Sequence, residues 1–120
     1  MKITQCLHTA ILVADLHRAK EFYGNILGLV EVGDRTAKFP GTWYQVGECQ
    51  IHLIVNPDFA ADIYDQKWGR NPHLALSVKD LEPAKTKLQT HGYSIQMSAS
   101  GRAALFVQDP DGNIIELSQS

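Results

Sequence analysis

The chain is poor in features that would mark a specialised class of protein. It has only two cysteines in 120 residues, Cys6 and Cys49. With no secretory pattern ahead of them they are expected as free thiols, because reducing compartments keep thiols unpaired. Long apolar runs are missing too: stretches such as "AILVA" and "QIHLIV" are strand-sized and far short of the ~20 residues that span a bilayer. The N-terminus shows no basic segment followed by an apolar run, so cytoplasmic residence without a membrane partner is the expectation. There is no excess of either charge: 11 Lys and Arg stand against 13 Asp and Glu, for a net charge of −2. The cations are scattered and form no basic stripe to track phosphates, which argues against nucleic acid. What remains, 44% hydrophobic and 20% charged, is ordinary composition for one compact domain with a small-molecule partner.

The informative feature is a repeat. Residues 8–20, "HTAILVADLHRAK", align without gaps on residues 73–85, "HLALSVKDLEPAK", and 7 of the 13 positions are identical. His8 matches His73, Asp15 matches Asp80, and Leu16 matches Leu81. The copies also end alike, since "QIHLI" (50–54) corresponds to "IIELS" (114–118) and sets His52 opposite Glu116. Two copies of this length are too few and too long for a solenoid, so a duplicated supersecondary unit is the expected architecture. Each copy begins with an alternating strand that runs to an Asp suited to cap a helix. In the first helix Leu16, Ala19, Phe22, Tyr23, Ile26 and Leu27 form an apolar stripe ended by Gly28, and in the second Pro83 occupies the first turn and Gly92 the end. Three short strands follow each helix, separated by turns such as "DPDGN", whose acids are assigned to hairpin geometry. The fold class expected is α+β, two tandem βαβββ modules of a single domain, about 1–57 and about 71–120, joined by a linker at 58–70.

Side chains alternate faces along a strand, so parity can be compared across the copies. His8 lies opposite Leu7, Ile11 and Val13; His73 lies opposite Leu74, Leu76 and Val78. His52 lies opposite Ile51, Leu53 and Val55, and Glu116 opposite Ile115 and Leu117. Four strongly apolar faces each need a helix to cover them, and each opposite face carries one metal-competent side chain. Three imidazoles and one carboxylate suit a divalent ion such as Zn, Ni, Co, Mn or Fe(II), with two octahedral positions left for water or a bidentate substrate. Cys49 is three residues from His52 and therefore on the other face, and His17 and His91 fall outside the pattern as solvated residues.

These residues resemble the vicinal oxygen chelate superfamily, which includes glyoxalases, bleomycin-resistance proteins, thiol transferases and extradiol dioxygenases. The resemblance spans the chain and rests on "LHTAILVADLHRAKEFYGNILGL", "HLALSVKDL" and "FVQDPDGNIIELSQ". It implies curled mixed sheets forming an open cup, completed in a homodimer whose sites are built from modules of both chains, and metal ligands at His8, His52, His73 and Glu116. It further implies Lewis-acid stabilisation of negative charge on two neighbouring substrate oxygens, and Glu116 as the general base. Glyoxalases carry a carboxylate where this chain has His52, a departure that weakens a strict glyoxalase assignment. The function expected is therefore a divalent-metal-dependent lyase or isomerase, glyoxalase-like. An Fe(II) extradiol-type dioxygenase or thiol transferase is the alternative within the superfamily, and a non-catalytic drug-binding or metabolite-binding protein is the alternative outside enzymes.

Other residues are candidates on chemistry alone. Phe39, Trp43 and Tyr44 cluster around a Pro-Gly turn and are candidates to wall the substrate site, with core packing as the alternative. Arg102 begins a strand beside the site and suits a carboxylate or phosphate of the substrate. Tyr64, Trp68 and Arg70 give the linker more large side chains than a spacer needs, suggesting a lid or a dimer contact.

Overall fold

The alternation just described is realised as two sheets. A computed structural model describes residues 1–32 and 40–120. The first compact unit, Met1–Phe59, contains strand β1 (His8–Val13), helix α1 (Leu16–Lys20) with a π-helical continuation (Glu21–Ile26), and strands β2 (Val30–Val32), β3 (Gly41–Val46) and β4 (Cys49–Val55). The second, Ala60–Ser120, contains a short 3-10 turn (Trp68–Arg70), strand β5 (His73–Val78), helix α2 (Leu81–Thr90) and strands β6 (Ile95–Met97), β7 (Ala104–Gln108) and β8 (Ile114–Gln119). Strand order is β1-β4-β3-β2 in one sheet and β5-β8-β7-β6 in the other. The first and last strands of each unit pair in parallel, and the remaining pairs are antiparallel. Each unit is thus a βαβββ module with a mixed sheet, as the repeat implied, because a parallel pair requires a crossover and the helix supplies it.

In the first unit Ile11, Val13, Tyr44, Ile51 and Leu53 are buried together with Ala19, Phe22, Tyr23 and Ile26 of the helix. Asp15 caps α1 by accepting the Arg18 N–H at 3.0 Å. The helix then departs from the regular stripe expected: the Leu27 N–H reaches back five residues to the Phe22 carbonyl, at 2.8 Å. This wider turn leaves Phe22, Tyr23 and Ile26 all buried on the sheet side. Gly28, at φ 75°, ends it in the left-handed conformation, and the Leu29 N–H closes onto the Tyr23 carbonyl at 3.0 Å.

In the second unit Leu81 and Leu88 of α2 are buried, as are Leu105, Val107, Ile115 and Leu117 of the sheet. Asp80 was expected to cap this helix and makes no side-chain cap hydrogen bond. The Leu81 N–H is satisfied instead by Gln119 Oε1 at 2.9 Å, because β8 runs on to Gln119 beside Val78 and brings its amide to the start of the helix. The "DPDGN" acids are structural: Asp109 accepts from the Asp111 and Asn113 N–H groups and from the Asn113 side-chain amide, each at 2.9 Å. Cys6 and Cys49 are free thiols. No helix among the described residues is long and apolar enough to cross a membrane.

Tyr44 pairs with Ile51 and Glu31 across the sheet, and its side chain is 1% exposed. Its hydroxyl has no hydrogen-bond partner among the described residues, and burial, with the nearby Glu31 charge adding to it, pushes the phenol from its usual 10.0 up to about 12. A phenol harder to ionise when folded stabilises the fold fully below pH 10.0 and progressively less as pH rises toward about 12. Tyr44→Phe should therefore leave stability at neutral pH unchanged or raise it by about 1 kcal/mol, since an unsatisfied buried group is removed. Its denaturant midpoint should also fall less steeply than that of the native protein across the alkaline range. A loss of about 2 kcal/mol or more at pH 7 would show that the hydroxyl is bonded.

Candidate functional site

Strand pairing sets one row of side chains across each sheet on the face away from its helix. In the second unit this row is Ala75, Glu116, Phe106 and Gln96. His73 stands two residues before Ala75 on the same face, and its Nε2 lies 3.2 Å from Glu116 Oε1. The other ring nitrogen, Nδ1, is 2.7 Å from the Asn71 carbonyl. A carbonyl only accepts, so Nδ1 carries the proton, and in the neutral ring Nε2 then turns its lone pair toward the carboxylate. Two lone pairs facing each other at this distance repel unless a proton or a cation lies between them. An imidazole whose far N–H is held by a backbone carbonyl is also how metal-bound histidines are oriented, so His73 and Glu116 fit a divalent ion as a ligand pair.

Glu116 is buried at 7% exposure, and its other oxygen, Oε2, is 3.4 Å from Arg102 Nη1. Arg102 is steadied by its Nε donating to Ser100 Oγ at 3.1 Å. The Phe106 ring stands edge-on to His73, with centroids 5.4 Å apart at 89°. The segment before β5 lies against this face. The Trp68 N–H donates to Gln96 Oε1 at 3.0 Å, and Gln96 Nε2 donates to the Gln66 carbonyl at 2.9 Å. Between them opens a groove of about 310 Å³ lined by Lys67, Trp68, Arg70, Ser98, Arg102 and Phe106, among others. Asn71, 4% exposed, ties the segment together, its Oδ1 accepting from the Tyr64 and Asp65 N–H groups and its Nδ2 donating to the carbonyls of Asp65, Lys67 and Trp68.

In the first unit the corresponding row is Ala10, His52, Trp43 and Val32. His52 is 7% exposed and sits between two rings: Trp43 at 3.4 Å between centroids and 9°, and His8 at 4.1 Å and 17°. Imidazole nitrogens bind metal in the plane of the ring. Two nearly parallel planes this far apart do not aim at a common ion, so His8 and His52 do not fit as joint ligands in this arrangement. Among the described residues no three His, Cys, Asp or Glu side chains gather as a metal site.

Of the expected wall residues, Trp43 is on the face with His52, whereas Tyr44 faces the opposite way, into the helix-covered core beside Tyr23. Successive residues on a strand cannot share a face. Phe39 lies outside the described residues. Tyr64 is exposed, while Trp68 lines the groove with Arg70. Sequence reasoning missed Asn71, Gln96 and Phe106. The last two could have been found by extending the parity of Glu116 across to its neighbouring strands.

Residues 5–117 match the Glyoxalase/Bleomycin resistance protein/Dioxygenase superfamily, and the chain belongs to it. Among curated relatives, a protein of Synechocystis named as a probable lactoylglutathione lyase is 32% identical over 126 residues, covering 95% of this chain and 94% of its own. The lactoylglutathione lyase of Salmonella typhimurium is 32% identical over 125 residues, covering 92% and 89%. Among solved structures, a glyoxalase/dioxygenase from Nostoc punctiforme superposes with a TM-score of 0.77 at 23% identity, covering 97% of this chain and 90% of that one, which supports the fold.

Gly69 is a test of how tightly the segment before β5 is seated. A Cβ there would come within 2.7 Å of the Phe106 ring. Gly69→Ala should lower stability by about 1–3 kcal/mol through overpacking and displace Phe106, visible as a change in its ring resonances. An unperturbed Phe106 would show that the segment is not seated on the sheet.

Proposed function

We propose that this protein is a divalent-metal-dependent enzyme of the lyase or isomerase type. It would act by proton transfer on a small substrate with neighbouring oxygens, in the manner of the lactoylglutathione lyases to which it is similar. The observation that carries the reading is the pair formed by His73 Nε2 and Glu116 Oε1 at 3.2 Å, with Nδ1 of the same imidazole anchored on a backbone carbonyl. His73 and Glu116 are the proposed ligands from the second unit, and His8, the repeat equivalent of His73, is the candidate ligand that the first unit offers. A bound ion would supply Lewis-acid stabilisation of the negative charge that develops on the two substrate oxygens.

The rest falls to the chain. Glu116 is the proposed general base: its carboxylate is buried, and an oxygen not engaged with an ion could take a proton from a carbon beside a carbonyl. Arg102, on Oε2, holds the carboxylate in place and is the proposed partner of an anionic part of the substrate. Trp43 offers a flat apolar surface on the open face of the first unit, against His52. Assembly as a homodimer, which the resemblance implies, belongs to the same proposal. Light scattering in solution should give twice the mass of one chain, and the mass of a single chain would remove that part of it.

The decisive experiment pairs metal content with turnover. Native protein should bind one divalent ion per site and convert the hemithioacetal of a 2-oxoaldehyde and glutathione to the thioester. His73→Ala and Glu116→Ala should lose the metal, and Glu116→Gln should lower kcat by about 100-fold or more through loss of the base. Stoichiometric metal retained in both alanine variants would refute the ligand assignment. Full metal loading with no turnover of this hemithioacetal would leave the centre standing and remove the lyase reading.

A further inference from the structure

The side chains beneath His52 specify its protonation state by a chain of donors and acceptors. Gln45 Nε2 donates to two backbone carbonyls, Gly47 at 2.8 Å and Cys49 at 3.1 Å. Carbonyls accept only, so the Gln45 amide is fixed with its nitrogen toward them and its oxygen turned away. That oxygen accepts from Gln50 Nε2 at 2.9 Å, which fixes the second amide in turn. Gln50 Oε1 is thereby left facing His52 Nε2 at 2.9 Å. An amide oxygen cannot donate, so His52 Nε2 must.

We infer that the Gln45–Gln50 amide relay locks His52 as its Nε2–H tautomer, so that Nε2 is closed to a metal ion and the lone pair of the neutral ring lies on Nδ1. Trp43 and His8 stack on the ring and fix its plane, and the relay selects which edge of that plane faces Gln50. The relay also accounts for the residue type. A carboxylate at this position, as glyoxalases carry, could not donate to Gln50 Oε1 at neutral pH, so a Gln50 oriented this way calls for a donor such as imidazole. Gln45 and Gln50 are the positioning residues. The part concerning metal rests on the proposed function, whereas the tautomer does not.

The test is nitrogen-15 NMR of the imidazole side chains in the whole protein, with and without zinc, at a pH where the imidazoles are neutral. His52 should show a proton-bearing, pyrrole-type Nε2 and a pyridine-type Nδ1 in both states. Gln50→Leu removes the acceptor and should shift the His52 signals toward a mixture of tautomers, whereas Gln50→Glu, which still accepts from Nε2, should retain the native pattern. An unprotonated or zinc-shifted Nε2 in the native protein overturns the inference without any variant. If native protein binds no zinc, the metal-centre reading fails while the tautomer measurement still decides the relay.

Discussion

The parallel pairing of the first and last strands in each unit is the constraint on which everything else rests. A parallel pair obliges the chain to cross over, the crossover helix covers one face of the sheet, and burial of that face is what makes the module stable. The two-residue period of a strand then leaves every alternate side chain on the other face. His8 and His52 in one sheet, and His73 and Glu116 in the other, owe their places on the open face to this arithmetic. β1 sets Ala10 beside His52 and β5 sets Ala75 beside Glu116, a small residue next to each of the two central side chains. The proposed site residues stand on strands whose opposite faces hold the cores together.

Much of this was legible in the sequence because it depends on period and repetition. The thirteen-residue repeat, the alternation of apolar and polar positions and the turn composition of "DPDGN" are local signals, and each corresponds to an observed element. Failures occur where the outcome depends on what lies across the sheet. Asp80 has the composition of a cap, yet Gln119, thirty-eight residues away, reaches the helix start first. Tyr44 resembled a wall residue because aromatics clustered nearby, although the same parity that placed Trp43 beside His52 places Tyr44 in the core. The π-helical turn at Glu21–Ile26 has no distinct signature in spacing, since Phe22, Tyr23 and Ile26 fit an ordinary apolar stripe as well.

The two copies have diverged in chemistry more than in backbone. In the second, a buried carboxylate faces the Arg102 guanidinium on one oxygen and the His73 imidazole on the other, so charge and its compensation dominate. In the first, the equivalent position holds an imidazole packed between two rings and hydrogen-bonded to a neutral amide, so stacking and tautomer dominate. The repeat presents two equivalent scaffolds, and the difference between imidazole and carboxylate at the matched position changes which force fixes the side chain. Asymmetry of this kind is visible only when both copies are compared residue by residue.

Asn71 links matters that are otherwise distant. Its side chain gathers the backbone of residues 64–68, and its own carbonyl receives the His73 imidazole. The ordering of a surface segment and the aim of a ring beside the buried acid are therefore not independent variables, because one residue transmits displacement from either to the other. A crystal soaked with a ligand that shifts residues 64–70 would register it in the His73 ring as a change of angle. A library that randomised this segment for new specificity would be sampling imidazole orientations at the same time, whether or not its designer intended it.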